Sequence, residues 1–135
     1  MFSLIICTYN RPDSVQSLLR SISTQFLVPN EILVIDGSDD IFTEQVVNIE
    51  GLNIFYHRVT KQERGLTKQR NIGISLVQDE SEIICFLDDF FLWNHTCFAN
   101  MVAHHWCISR PIGAENGNPC PPDTTRMWVI ACGTI

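Results

Sequence analysis

The chain has 135 residues, enough for one domain with a substantial core, and its 45% hydrophobic and 18% charged residues are ordinary for a globular protein. This composition excludes an intrinsically disordered chain. The formal net charge of −6 argues against general binding to nucleic acid, because neutralising phosphates requires a basic face. No apolar run reaches the roughly 18 residues that a membrane helix requires, so no membrane segment is expected.

The N-terminus and two of the cysteines predict a cytoplasmic protein. The first residues carry no basic lead-in and only a short apolar run, which is typical of a first strand and not of a secretory signal. Cys7 and Cys85 lie inside apolar runs, so we interpret them as small core residues with reduced thiols.

The first part of the chain predicts a strand followed by a helix. Residues 2–7 form the apolar run, and the polar residues after it lead to Pro12, which suits the first turn of a helix. Four apolar residues then recur at the spacing of one helix face, namely Val15, Leu18, Leu19 and Ile22. We therefore expect a strand, a turn and an amphipathic helix that ends near Thr24.

Three further strands alternate with two helices in the next part. Strands are predicted at 31–35, 53–59 and 82–87, the first and the last of them from short apolar runs. One helix is predicted at 42–49, with Gly51 at its end, and another begins within the basic segment 60–71 and runs to about residue 78. This alternation predicts an α/β fold with a parallel sheet, three layers and right-handed crossovers.

Polar turns follow the first, second and fourth predicted strands. They lie at residues 8–11, 36–39 and 88–89. In parallel α/β sheets ligands bind at the carboxyl ends of the strands, so these turns are the candidate site. The first turn lacks both the G-x-G-x-x-G pattern and the phosphate-binding P-loop, which disfavours a dinucleotide-dependent oxidoreductase and a P-loop NTPase.

The groups in these turns suit a nucleoside diphosphate compound. The Asp36 carboxylate can accept a hydrogen bond from a base N–H such as N3–H of uracil, and Tyr9 can stack on the base. Asp88 and Asp89 suit a divalent cation that bridges a diphosphate. Five of the nine basic residues share one segment and can pair with phosphate oxygens, namely Arg58, Lys61, Arg64, Lys68 and Arg70.

Each of these features alone has a plainer interpretation. Asp36 before glycine, and the Asp88 and Asp89 pair, are typical turn residues. Tyr9 alone is a partly buried aromatic, and a basic run alone is usually a solvated helix face. Only their joint arrangement at one sheet edge predicts a nucleotide site.

Four motifs in order carry a resemblance to a known family. They are Ser-Leu-Ile-Ile-Cys-Thr-Tyr-Asn-Arg at 3–11, Ile-Leu-Val-Ile-Asp-Gly-Ser-Asp-Asp at 32–40, Gly-Leu-Thr-Lys-Gln-Arg-Asn-Ile-Gly-Ile at 65–74 and Ile-Ile-Cys-Phe-Leu-Asp-Asp at 83–89. With these motifs, residues 2–89 resemble the N-terminal nucleotide-binding half of family 2 glycosyltransferases. The resemblance implies a Rossmann-like, mostly parallel sheet of the GT-A type.

The resemblance also implies an activity and a set of site residues. The activity is transfer of a sugar from a UDP- or dTDP-sugar to an acceptor hydroxyl, with inversion at the anomeric carbon. The implied nucleotide-sugar-binding residues are Thr8, Tyr9, Arg11, Asp36, Arg70 and Asp88. Asp89 and Asp88 are the implied ligands of a divalent cation, Mn²⁺ or Mg²⁺. The implied partners are the donor and a glycan or lipid-linked acceptor, so the cytoplasmic face of a membrane is an alternative location.

The sequence departs from the family pattern at and after Phe90. Phe90 stands where family members commonly carry a third acidic residue, and a phenylalanine cannot ligate a cation. The catalytic base of the family lies in a second half that we do not find in this chain. We therefore predict a nucleotide-sugar-binding half-domain at 1–90, an incomplete sheet, and an irregular tail at 91–135.

The tail differs in composition from the rest of the chain. All three tryptophans and four of the six cysteines lie in it, and neither helical nor strand periodicity is sustained. A truncated or frameshifted gene is one interpretation of this change, and a zinc module is another. The zinc-type ligands are Cys97, His104, His105, Cys107, Cys120 and Cys132, but their spacing fits no C-x₂-C pattern.

Two functions of other classes remain as alternatives to a glycosyltransferase. One is a non-catalytic nucleotide-sugar-binding remnant, which would bind UDP without turnover. The other is a plain α/β interaction domain, which would not bind UDP at all.

Overall fold

The computed structural model describes residues 1–88 and 127–131, and the side chains of residues 1–87. The described residues include three α-helices and one 3₁₀ turn, at Lys61–Glu63. The helices are α1 at Pro12–Ser23, α2 at Phe42–Val46 and α3 at Leu66–Leu76. The strands are β1 at Phe2–Thr8, β2 at Glu31–Asp36, β3 at Ile54–Arg58, β4 at Ile83–Asp88 and β5 at Met127–Ala131.

The strands form one parallel sheet in the order β3-β2-β1-β4-β5. The chain builds outward from β1 to β3 and then crosses to the other side of β1 to form β4. The direction of winding therefore reverses at β1, and in such sheets the crevice beside the reversal is where ligands bind. The predicted α/β fold with a parallel sheet is confirmed.

The sheet is covered by helices on both faces, as the apolar runs predicted. Side chains of Leu4 and Ile6 pack with the α1 face, whereas Ile5 packs on the other side with residues of α3. All four predicted apolar residues of α1 are buried, namely Val15, Leu18, Leu19 and Ile22. Pro12 in the first turn and the Asp13 side chain there suit the start of this helix.

Helix α3 lies unusually close to the sheet because Gly73 faces it. A methyl group at Gly73 would lie 2.6 Å from Cγ2 of Ile5, which is closer than side-chain carbons approach one another. The absence of a side chain at this position therefore sets the distance between α3 and β1.

Two helices end earlier than the sequence predicted. Helix α2 stops at Val46, and the chain turns instead through a hydrogen bond from Leu52 N–H to the Ile49 carbonyl (3.3 Å). Helix α3 stops at Leu76, because the Gln78 N–H donates to the Glu31 carboxylate (2.9 Å). At the end of α3 the Glu31 carboxylate thus takes the N–H that would make the next helical hydrogen bond.

Glu31 is buried at the amino edge of the sheet, with 1% of its surface exposed. Its Oε1 atom accepts hydrogen bonds from the hydroxyls of Ser3 (2.5 Å) and Ser81 (3.3 Å). The two serine hydroxyls also hydrogen-bond to each other. This cluster joins β1, β2 and the segment before β4.

Strand β5 was not predicted from the sequence. It pairs with β4, with Met127 opposite Ile83 and Ala131 opposite Leu87. Residues 127–131 are an apolar run like those that predicted β2 and β4, but the tail around them shows no sustained periodicity that would place a strand there. The rest of the predicted tail, including all six zinc-type candidates, lies outside the described residues.

Cys85 is buried and Cys7 is partly exposed, and the two are not joined to each other by a disulfide. Among the described helices, none combines the length and apolar character needed to cross a membrane.

Candidate functional site

The carboxyl ends of four neighbouring strands meet at one edge of the sheet. Thr8 of β1 lies opposite Asp36 of β2, which in turn lies opposite Arg58 of β3. On the other side of β1, Cys7 lies opposite Asp88 of β4. Asp36 and Asp88 are two strands apart, about 10 Å at the usual spacing of strands. The turns that the sequence singled out are therefore adjacent.

Several hydrogen bonds join the turns after β1 and β2. Gly37 N–H donates to the Thr8 carbonyl (3.0 Å), and Asn10 N–H donates to the Ser38 hydroxyl (2.8 Å). Asp39 N–H donates to the Asn10 side-chain oxygen (3.0 Å). Asn10 has φ 52°, in the left-handed region that asparagine tolerates better than most residues. This conformation holds Tyr9 at the edge of the sheet beside β2.

Asp36 is completely buried and is held by three donors. Its Oδ1 atom accepts from Ser38 N–H (2.8 Å) and from the Ser38 hydroxyl (2.5 Å). Its Oδ2 atom accepts from the Tyr56 hydroxyl (2.7 Å). A carboxylate offers about four acceptor positions, so one position on Oδ2 has no donor among the described residues. Asp36 is thus oriented in place with capacity for one more hydrogen bond.

Tyr56 lies on β3, and its hydroxyl donates a hydrogen bond to the Asp36 carboxylate. Burial of the phenol, together with its hydrogen bond to the Asp36 carboxylate, raises the pKa of Tyr56 well above its usual range. The hydroxyl therefore remains a hydrogen-bond donor to Asp36 under all ordinary conditions.

Gln69 fixes helix α3 to the same strand ends. Its Nε2 atom donates to the carbonyls of Thr8 (3.0 Å) and Ile35 (2.8 Å). Its Oε1 atom accepts from Gly65 N–H (3.3 Å), just before the helix begins. Gly65 has φ 121°, a conformation that favours glycine. The side-chain amide of Gln69 thus ties the backbones of β1 and β2 to the start of α3.

Tyr9, Asp39 and Arg64 form a cluster on the solvent side, which we call the clasp. The Arg64 guanidinium pairs with Asp39 Oδ1 (2.7 Å) and lies over the Tyr9 ring, 5.4 Å from its centre. The Tyr9 hydroxyl donates to Asp39 Oδ2 (3.1 Å). These hydrogen bonds, that from Arg64 first, hold the pKa of Asp39 below its usual value of 3.8. The clasp therefore stays charged at neutral pH.

The basic residues of the 60–71 segment and its neighbour Arg58 take different positions. Arg58 and Arg64 both donate to the Ser38 carbonyl, at 3.2 and 3.4 Å. Arg70 lies over the Phe86 ring of β4, 5.5 Å from its centre, and Lys68 donates to the Gln62 carbonyl (2.7 Å). Arg58 and Arg64 thus belong to the β2 end of the site, and Arg70 lies on the β4 side.

The other predicted site residues lie at the carboxyl edge of the sheet or outside the described residues. Thr8 is buried, and Arg11 is exposed immediately before α1. Asp88 is the last residue of β4, whereas Asp89 and Phe90 lie outside the described residues. Within the described part of the chain, no three acidic, histidine or cysteine side chains form a metal-binding group. The backbone of β4 places Asp88 at the site edge, which suits its predicted role as a cation ligand.

Five residues of the site were not assigned individual roles from the sequence. They are Asn10, Ser38, Asp39, Tyr56 and Gln69. Three of them, Asn10, Ser38 and Asp39, lie inside predicted turns. The sequence therefore predicted where they lie but not which residues they contact. Gln69 could have been found as a polar residue on the sheet-facing side of a helix, because a buried amide needs hydrogen-bond partners.

Comparisons with known proteins agree with this architecture. The model of the family described as Glycosyl transferase family 2 matches residues 3–105, so the match continues past residue 90 into the unassigned tail. A curated relative, the uncharacterized glycosyltransferase YwdF of Bacillus subtilis (strain 168), is 31% identical over 93 residues, which are 69% of this chain and 34% of the relative.

Solved structures of S. aureus TarS share the fold. The structure of TarS 1-349 superposes with a TM-score of 0.63 at 28% identity, covering 77% of this chain and 33% of that chain. A longer TarS structure gives a TM-score of 0.62 at 26% identity, covering 77% of this chain and 20% of that one. The chain spans about a third of the length of the curated relative. With the family model matching most of its length, and with an α/β sheet of the GT-A type, the chain belongs to glycosyl transferase family 2.

Proposed function

We propose that this chain binds a UDP- or dTDP-sugar at the carboxyl edge of β1, β2 and β4, and serves glycosyl transfer to an acceptor hydroxyl with inversion. The observation that carries this proposal is the Asp36 carboxylate, oriented by Ser38 and Tyr56 and with one acceptor position left on Oδ2. Family membership supplies the reaction class, and Asp36 supplies the donor preference.

Asp36 favours a base that presents an N–H donor. Uracil and thymine carry N3–H, whereas N3 of unprotonated cytosine is an acceptor and would face the carboxylate with two acceptors opposed. A buried acceptor left without a donor is costly, so the preference is expected to be strong. Tyr9 lies on the adjacent strand end, 49% exposed, and offers a ring for stacking on the same base.

The remaining groups suit the diphosphate. Arg70 on α3 lies beside β4, where its guanidinium can pair with phosphate oxygens. Asp88, with Asp89 after it, would hold Mn²⁺ or Mg²⁺, hard cations that prefer carboxylate oxygens. The bound cation would neutralise the charge that develops on the departing diphosphate. The relatives are about three to five times as long as the matched segment, so we place the acceptor site and the catalytic base in the family's second half.

Calorimetric titration with UDP and CDP in the presence of Mn²⁺ tests this function. The wild-type chain should bind UDP more tightly than CDP. Asp36→Asn should weaken UDP binding by about 5- to 150-fold, equivalent to ~1–3 kcal/mol, and should remove the preference over CDP. The weakening follows because the new amide presents N–H toward the base N–H.

A matched control is Asp40→Asn, which removes one charge from the same turn. Asp40 Oδ1 accepts from Phe42 N–H (3.0 Å), and an asparagine keeps that oxygen. This variant should bind UDP as the wild type does, to within about threefold, since a single exposed charge acts weakly across solvent. Equal affinity of the wild type for UDP and CDP, or no binding of either, would contradict the proposal.

A further inference from the structure

Each oxygen of the Asp36 carboxylate is held by a different part of the fold. Oδ1 accepts from the backbone N–H and the hydroxyl of Ser38, two residues further along the same turn (2.8 and 2.5 Å). Oδ2 accepts from the hydroxyl of Tyr56 on the neighbouring strand β3 (2.7 Å). Under the proposed function, Oδ2 is also the oxygen whose remaining acceptor position receives the base. Tyr56 therefore contacts the atom on which recognition of the base depends.

Tyr56 is fixed by the sheet and not by the turn after β2. In the register of β2 and β3 it lies opposite Val34, two residues before Asp36. Side chains two residues apart on a strand share a face, so strand pairing places the phenol on the same side of the sheet as the Asp36 carboxylate. On this side the Tyr56 ring packs, together with Ile54, against the buried core that includes Val34. The ring is thus held by the core and the hydroxyl by the carboxylate.

Contacts to both oxygens fix the carboxylate more completely than contacts to one. The two hydrogen bonds from Ser38 meet at Oδ1, and bonds to a single atom leave a carboxylate free to turn about that atom. The hydrogen bond from Tyr56 to Oδ2 removes this freedom and sets the direction of the remaining acceptor position. Hydrogen bonds weaken steeply as they depart from alignment, so this direction decides how well a base N–H can donate.

We propose that Tyr56 is a positioning residue that sets the base preference of the nucleotide site. By fixing Oδ2, it presents an acceptor to N3–H of uracil or thymine and holds the same acceptor against the N3 lone pair of cytosine. A carboxylate free to turn would align less well with the first kind of base and would turn away from the second. This role rests on the proposed function, because it requires a base at Asp36 Oδ2.

The position of Tyr56 in the chain makes this role independent of the family resemblance. Residues 32–40 and 65–74 carry the second and third motifs of that resemblance, and Tyr56 lies between them. Base preference then depends on a strand that contributes no motif.

Calorimetric titration of the full chain with UDP and with CDP, each in the presence of Mn²⁺, tests this role. Tyr56→Phe keeps the ring and removes only the hydroxyl. This variant should bind UDP about 2- to 12-fold more weakly than wild type, the usual effect of leaving one side chain to be ordered on binding. Its affinity for CDP should stay the same or rise, so the ratio of UDP to CDP affinity should fall. A merely structural role would lower both affinities alike and leave the ratio unchanged.

Two further variants separate the contact at Oδ2 from other effects. Ile54→Val removes one methyl group from the same face of β3 and leaves the contacts of Asp36 intact, so it should keep the wild-type ratio. Ser38→Ala removes one of the two donors to Oδ1, whereas the Ser38 N–H (2.8 Å) and the Tyr56 hydroxyl (2.7 Å) still hold the two oxygens. It should therefore lower the ratio less than Tyr56→Phe does.

The outcomes distinguish the role of Tyr56 from the proposed function. If wild type prefers UDP, and if Tyr56→Phe, folded by circular dichroism, keeps that preference or binds UDP more tightly, the positioning role is wrong and the nucleotide site stands. The role is also wrong if Ser38→Ala lowers the ratio as much as Tyr56→Phe. If wild type binds neither nucleotide, or both equally, the proposed function itself is wrong. A ratio that falls most in Tyr56→Phe, less in Ser38→Ala and not in Ile54→Val supports the positioning role.

Discussion

Replacing Gln69 with leucine is the sharpest test of how the strand ends are held. The substitution keeps the approximate size of the side chain and removes three hydrogen bonds, two to the carbonyls of Thr8 and Ile35 and one from Gly65 N–H. Each bond contributes about 0.5–1.5 kcal/mol net, and backbone groups that stay buried without a partner add to the cost. The Thr8 carbonyl keeps its bond from Gly37 N–H, which limits the loss. We expect the free energy of unfolding to fall by about 2–4 kcal/mol, a large part of the ~5–15 kcal/mol typical of a domain.

Urea unfolding followed by circular dichroism measures this change. Gln62→Leu makes the same chemical substitution at an exposed position of the 3₁₀ turn and should change the free energy of unfolding by no more than about 0.5 kcal/mol. A Gln69→Leu variant as stable as Gln62→Leu would refute the role of Gln69 as the tie between the helix and the strands.

Two further predictions concern packing and ionisation. Gly73→Ala should lower the free energy of unfolding by up to about 2 kcal/mol in urea, because overpacking against Ile5 costs ~1–3 kcal/mol and the gain in helix propensity returns only ~1; a variant more stable than wild type would contradict the close approach of α3. Tyr56 should not ionise near pH 10, so the tyrosinate absorbance of wild type minus that of Tyr56→Phe should be absent there. Because the folded state favours the neutral phenol, the stability that Tyr56 contributes is present below pH 10 and is lost as pH rises through its raised pKa; equal ionisation in the folded and unfolded chain would disprove the contact with Asp36.

The sheet and its first helix could be predicted because their signals are local. The apolar runs at 31–35 and 82–87 are short and bounded by polar residues, and the apolar residues of α1 recur at a helical period. These patterns depend only on which face of an element is buried. The alternation of strands and helices also limits the possible strand orders, because few arrangements of a parallel sheet are compatible with it.

The end of α3 could not be predicted because it depends on a distant contact. Gln78 has no local reason to leave the helix, and its N–H is taken by Glu31, 47 residues earlier in the chain. Strand β5 was missed because the tail around residues 127–131 carries no sustained periodicity, and because its partner β4 lies far away in sequence.

The sequence predicted which edge of the sheet carries the candidate site, but it did not predict the contacts between the side chains there. Asp36 was expected to present its carboxylate to a base, and the structure adds that the carboxylate is buried beneath other side chains. In the sequence, Tyr56 is one residue of a predicted strand, and Arg64 is one member of a basic segment. Neither pattern specifies which residue the side chain will contact. Their hydrogen bonds to Asp36 and Asp39 arise from strand pairing and from the turn at Asn10, which bring together residues 20 and 25 positions apart.

The buried cluster around Glu31 bears on how β1 and β2 find their alignment. Both strands are apolar on both faces, so sliding β2 along β1 by two residues would still place aliphatic side chains against each other at little cost. The shifted register would separate Glu31 from the Ser3 hydroxyl and leave a buried carboxylate short of donors, a penalty of at least about 1–3 kcal/mol. A polar contact at one end of the sheet thus selects the register in which Asp36 lies opposite Thr8 at the other end.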